Sequence, residues 1–205
     1  MIFIAENLKK FRKEKDMTQE EVANLLHVTA QSVSKWERGD SYPDISFLPA
    51  LANLFTTSID ALVGMDTICA NETRYNLHKH ANEHMKAKEY QSAVNIYEDG
   101  LHTFPSDAGI MAGLASALAF MGESERSIML FERSLSFDAS DKSRATTRAA
   151  LCFLYMKTNK QERAVALAAT LPHTRESREV IQPLILKGLD ASELDRNLES
   201  IILGI

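Results

Sequence analysis

Four side chains close together in the chain, Gln31, Ser34, Lys35 and Arg38, have the types needed to hydrogen-bond the edges and backbone of a nucleic acid. On one helix they share a side, with Val33 and Trp36 on the other. A glutamine amide matches the adenine edge, a lysine reaches guanine O6 and N7, and a serine hydroxyl donates or accepts. A solvated polar face over a small helical core would use the same residues, so the flanking sequence must decide.

Other groups could carry chemistry. His80 and His84 lie four apart, as two metal ligands on one helix face would, with His78, Glu83 and Cys69 nearby. A metal site would need ligands from another segment, and no metal or cofactor is expected. Cys69 and Cys152 make no disulfide framework. Glu98, Asp99 and Glu123 to Glu125 read as solvated helix ends. No Gly-rich phosphate loop and no nucleophile elbow occurs, so an enzyme is not expected.

The elements that must position the polar row can be read from Thr18 to Gly39. Thr18 suits an N-cap, with Glu20 and Glu21 in the first turn, where the helix dipole favours negative charge. Val22, Leu25 and Leu26 give an apolar stripe. His27 and Val28 make a turn, Thr29 caps a second helix, and Gly39 stops it.

Around this pair the chain resembles the Cro/repressor-type (Xre-like) helix-turn-helix family. The likeness rests on L-K-K-F-R-K-E-K (Leu8 to Lys15), M-T-Q-E-E-V-A (Met17 to Ala23), S-V-S-K-W-E-R-G (Ser32 to Gly39), Y-P-D-I-S-F-L-P-A-L-A (Tyr42 to Ala52) and S-I-D-A-L (Ser58 to Leu62). It implies an all-α, five-helix lambda-repressor-like DNA-binding domain whose third helix enters the major groove. By the resemblance, Gln19 touches a phosphate, Thr29 caps the reading helix, and Ala30, Gln31, Ser32 and Lys35 face base edges. Arg38 contacts the backbone, and Arg12 and Glu37 form a structural ion pair between helices one and three. Two departures stand out: His27 and the Phe55-Thr56-Thr57 break occupy places where glycine is frequent in the family.

The chain has 205 residues and a net charge of −5. Residues 1–66 hold seven Lys/Arg against ten Asp/Glu, so the basic character is local: Lys9, Lys10, Arg12, Lys13 and Lys15 cluster with only Glu14 among them. Few phosphate contacts and a moderate salt dependence are expected. No apolar run is long enough for a membrane span. The opening M-I-F-I-A-E does not read as a signal peptide, and a cytoplasmic location is expected.

Within the first 66 residues, helix one is expected from Ile4 to Lys15, helix four around Leu48 to Phe55 with Ala50 inward, and helix five from Ser58 with Ile59, Leu62 and Val63 inward. Residues 67–73 lack periodicity and are expected to form a linker. From Arg74 the chain is helical and repetitive. Ala81 with Ala93, and Ala115 with Ser127, are small-residue pairs in two copies offset by 34 residues, and the same offset aligns Tyr97 with Phe131, Leu101 with Leu135 and Pro105 with Ala139. Cys152 with Ala164 marks a third copy, and amphipathic stretches from Arg175 to Ile205 follow. Residues 74–205 thus resemble a tetratricopeptide array of antiparallel helix pairs.

The expectation is a homodimeric regulator of transcription, a repressor, on palindromic double-stranded DNA. The repeats dimerise it and could receive a peptide or protein effector. The alternative is a peptide- or protein-binding interaction module with DNA binding secondary. The apolar stretch from Leu194 to Ile205 could make the dimer contact or cap the last repeat.

Overall fold

The computed structural model describes residues 3–137, 141–172 and 178–204. The expectations for Ala139, Arg175 and Ile205 lie outside them. All regular structure among the described residues is helical. The chain divides into two compact units, 1–73 and 74–205.

The first unit contains α1 (Ile4–Glu14), α2 (Gln19–Leu26), α3 (Ala30–Arg38), a single 3-10 turn (Ile45–Phe47), α4 (Leu48–Phe55) and α5 (Ile59–Val63). Three of its helices, α2, α3 and α5, begin where a short polar side chain holds a free backbone N–H group. The Glu21 N–H donates to Thr18 Oγ1 at 3.1 Å, and the Thr18 N–H donates to the Glu21 carboxylate at 2.7 Å, a reciprocal capping box. The Ser32 N–H donates to Thr29 Oγ1 at 3.1 Å, and the Ala61 N–H to Ser58 Oγ at 3.0 Å. Pro49 sits in the first turn of α4, where a missing N–H leaves no gap.

Ile4, Leu8, Val22, Leu26, Val33, Trp36, Leu51, Phe55 and Leu62 form the core of this unit. Three residues expected inside are not: Leu25 is 59% exposed, Ile59 is 39% exposed, and Ala50 lies on the surface. A helix stripe gives a direction, but its neighbours decide how wide a strip is covered.

Both departures from the glycine pattern are left-handed, His27 at φ 56° and Thr56 at φ 55°. For a β-branched residue this conformation is strained. Thr56→Gly is therefore expected to stabilise the unit by about 1 kcal/mol in urea unfolding, even with loss of the exposed 3.1 Å hydrogen bond from Lys15 Nζ. An unchanged or lower midpoint would show that the strain is absent.

The stretch 67–73, expected as an aperiodic linker, is helical. It opens α6 (Met65–Lys86), which starts directly after the left-handed Gly64 (φ 77°). Six of the eight residues from Asp66 to Thr73 are exposed. With almost nothing buried there, no apolar stripe could appear in the sequence.

The second unit continues with α7 (Tyr90–Thr103), α8 (Ala108–Phe120), α9 (Ser124–Phe137), α10 (Asp141–Lys157), α11 (Gln161–Ala168), α12 (Arg178–Lys187) and α13 (Ala191–Leu203). Sequential helices pair, α7 with α8, α8 with α9, α9 with α10 and α10 with α11. Ala81, Ala93, Ala115, Ser127, Cys152 and Ala164, the small residues that mark the repeat, are all 0% exposed. A side chain larger than these would push the paired helices apart. Ser127 meets the polar demand of burial by donating from Oγ to the Ala115 carbonyl at 2.7 Å. At Gly113 even a Cβ would collide with the Tyr97 ring.

The C-terminal helix folds onto its own chain. Leu194 and Leu198 are buried in the cluster that includes Ala150, Leu151 and Leu154 of α10, and α13 packs on α10. The array is thus capped in cis by the segment whose role the sequence left open.

Candidate nucleic-acid interface

The buried side of α3 consists of Val33, Trp36 and Glu37. Trp36 lies on the core, with its ring centroid 5.7 Å from that of Phe47. Helical periodicity then forces the intervening residues outward. Ala30, Gln31, Lys35 and Arg38 are exposed, and Ser32 and Ser34 are half-buried.

A buried ionic network sets the pose of this helix. Arg12 of α1 grips Glu37 of α3 in a two-point fork: Nε donates to Oε1 at 2.5 Å and Nη2 to Oε2 at 2.8 Å. Side-chain exposures of 13% and 3% make this a buried pair. Arg12 Nη1 also donates to the Met17 carbonyl at 2.7 Å, at the entry to α2. The third partner is Gln19 of α2, whose amide donates to Glu37 Oε2 at 2.8 Å. Burial pushes the Glu37 carboxyl up. Hydrogen bonds from Arg12 and Gln19 outweigh it and hold the group below the usual carboxylate range. The Glu37 hydrogen bond in turn raises the Arg12 guanidinium above its ordinary value. Three helices meet at one carboxylate, so α1, α2 and α3 are fixed against one another.

The other residues singled out by sequence fall into distinct settings. Thr29 and Ser32 join hydroxyls at 2.8 Å, so both are engaged in the cap of α3. Gln31 and Lys35 stand on the open surface. Arg38 is held locally: Nε donates to Asp40 Oδ2 at 2.9 Å and Nη1 to Ser34 Oγ at 2.5 Å. Asp40 escaped the sequence reading, although an acid two residues beyond a basic helix end is a visible signal. The Gln19 link to Glu37 also escaped it. An amide nitrogen carries two hydrogens, so a phosphate contact from Gln19 would use the second. Lys9, Lys10, Lys13 and Lys15 are all exposed on or next to α1.

The histidines have separate environments. His84 Nδ1 lies 2.6 Å from Glu89 Oε2. His78 packs edge-on to Tyr97 at 5.8 Å, and burial lowers its pKa, with Asp107 opposing and Arg74 assisting. His80 is exposed. Among the described residues no three His, Cys, Asp or Glu side chains come together as a metal site would require. Burial pushes the Cys152 thiol up to about 12, which makes it a poor nucleophile. Among the described residues no helix is long and apolar enough to cross a membrane.

Residues 8–62 match the helix-turn-helix family, so the first unit carries a helix-turn-helix domain. The chain is 36% identical over 77 residues to the HTH-type transcriptional activator BcrR of Enterococcus faecalis, covering 36% of this chain and 38% of that one. It is 26% identical over 120 residues to the HTH-type transcriptional regulator ImmR of Bacillus subtilis (strain 168), covering 58% of this chain and 94% of that one. The chain thus spans less than two fifths of the length of the first of these relatives. Both names describe regulators of transcription, not enzymes. Among solved structures, Bacillus thuringiensis PlcR in complex with the peptide PapR7 and DNA aligns with a TM-score of 0.45 at 13% identity, over 97% of this chain and 92% of that one.

Proposed function

We propose that the protein is a sequence-specific, DNA-binding regulator of transcription. The observation that carries this reading is an exposed row on α3, Ala30, Gln31 and Lys35, on a helix fixed from behind by Trp36 and the Arg12–Glu37–Gln19 network. A rigid helix with pairing groups outward and a locked inner face can hold a base-edge contact in register. Gln31 and Lys35 read bases, Gln19 and Arg38 contact phosphate, and Thr29 and Ser32 hold the first turn of α3. For Arg38, the phosphate must replace Asp40.

The protein acts as a homodimer in the cytoplasm, on a palindromic site whose halves are about one helical turn apart. The repeats supply the dimer contact and receive a peptide or protein effector. The simplest action is repression, since a folded dimer on a promoter blocks access without further contacts. A promoter–reporter assay in cells with and without the chain tests the sign, and higher output with the chain present would oppose repression.

Gln31→Ala and Lys35→Ala are each expected to weaken binding to the specific site by about 1–3 kcal/mol, roughly 5- to 150-fold. Thermal unfolding should be unchanged, because both side chains are exposed. Fluorescence anisotropy on the specific duplex and on a scrambled one reads the effect. Wild-type affinity in both variants would remove the reading face from α3. Native mass spectrometry of the same complex should show two chains on one duplex, and one chain per duplex would contradict dimeric binding.

A further inference from the structure

We propose that the surface of α10 covered by α13 is a docking site for an acidic amphipathic helix, and that α13 is its built-in occupant. The proposal deepens the reading of the repeat array as a partner-binding domain and rests on it.

The seat of α13 has the parts of such a site. Leu194 and Leu198, four apart on one face, are 7% and 2% exposed and packed into the α10 cluster. One further turn along, Ile202 packs against two apolar clusters at once, the one centred on α10 and the one that holds Leu114 and Leu118 of α8. This is the spacing by which an amphipathic helix anchors in a groove. Charge follows the same line. Lys157 Nζ donates to Asp195 Oδ1 at 2.7 Å, and Lys88 Nζ lies 3.7 Å from Glu199 Oε1. From Asp190 to Gly204 the segment carries four acidic residues against one arginine. The receiving surface supplies the lysines and the occupant the carboxylates.

The fit is incomplete at one end. Beside Ile202, among the described residues, a cleft of about 320 Å³ stays open, with Ala112, Phe131 and Ala150 on its apolar part and the hydroxyls of Ser116, Ser143, Thr146 and Thr147 on the rest. A helix with a larger apolar side chain at this point would bury more surface than α13 does. The partner is therefore an acidic amphipathic helix with three apolar anchors four residues apart, the last of them bulky. While α13 holds the site, a partner sees only the fraction of chains in which it is open.

The test uses the full chain and a fluorescein-labelled synthetic peptide with the sequence of residues Asp190–Gly204. Leu198→Asp weakens only the built-in occupant. It is expected to bind the peptide at least tenfold tighter than wild type in anisotropy titrations. Lys157→Glu added to Leu198→Asp should reverse several-fold of that gain. No gain in Leu198→Asp with helical circular dichroism retained would overturn the proposal. If Leu198→Asp does not fold, Asp195→Lys with Glu199→Lys replaces it, turning the ion pairs repulsive and leaving the apolar seam. At least a twofold gain is then expected, and no gain overturns the proposal. DNA affinity is measured on the same samples without peptide. Peptide gain in a chain that binds no DNA supports the docking site and contradicts the regulator. DNA binding without peptide gain overturns the docking site alone.

Discussion

Trp36→Ala is expected to lower the stability of the N-terminal unit by about 3–5 kcal/mol. The indole is 6% exposed and is the large side chain that joins α3 to Phe47 and the core beyond it. Its removal loses the transfer free energy of a large aromatic side chain and leaves a void that α3, tied at both ends, closes only in part. Small domains have about 5–15 kcal/mol in total, so a loss of this size takes much of the folded population at physiological temperature. Trp36 is the only tryptophan, so fluorescence disappears with the substitution. Hydrogen exchange across Ala30–Arg38 reads the effect instead, with protection falling by two or more orders of magnitude. Protection equal to wild type would mean that the indole does not anchor the helix.

Arg12→Ala is expected to destabilise the same unit by about 3 kcal/mol, because it leaves Glu37 buried with Gln19 as its remaining partner in the network. The strength of this effect lies in the orphaned charge, more than in the worth of the intact pair. Glu37→Gln, which keeps a hydrogen-bonding group and removes the charge, should cost less. The sign of the pH dependence follows from the lowered Glu37 carboxyl. Its contribution is complete above the ordinary glutamate value of about 4.3 and is lost as pH falls through the lower value of the folded state. In Arg12→Ala, burial acts with less opposition and favours the protonated carboxyl. The gap in melting temperature between wild type and Arg12→Ala should therefore be widest near neutrality and narrow below about pH 4. A gap that is constant with pH would show that the pair contributes packing and no charge.

Much of this arrangement can be read along the chain because it depends on short spacings. Thr18, Thr29 and Ser58 announce helix starts, Gly39 and Gly64 announce ends, and each does so in the structure. The small-residue pairs from Ala81 to Ala164 mark where helices must touch, and all six residues are fully buried. Other features depend on partners that spacing does not reveal. The start of α6 is mostly exposed, so its helix carries no apolar stripe. Leu25, Ala50 and Ile59 obey a helical stripe but remain exposed among the described residues. The third partner of Glu37 comes from α2, and no pattern within α2 or α3 announces that link. The seat of α13 on α10 joins segments about forty residues apart, so no local spacing in the sequence announces it.

The central claim is that α3 reads DNA sequence through Gln31 and Lys35, and the most direct measurement is a selection from a random duplex library by the purified full chain. Wild type is expected to enrich one short motif with two-fold symmetry. A Gln31→Ala, Lys35→Ala double variant with wild-type melting should lose that motif while still retaining duplex nonspecifically at low salt. Enrichment of no motif by wild type, or of the same motif by the double variant, would contradict it.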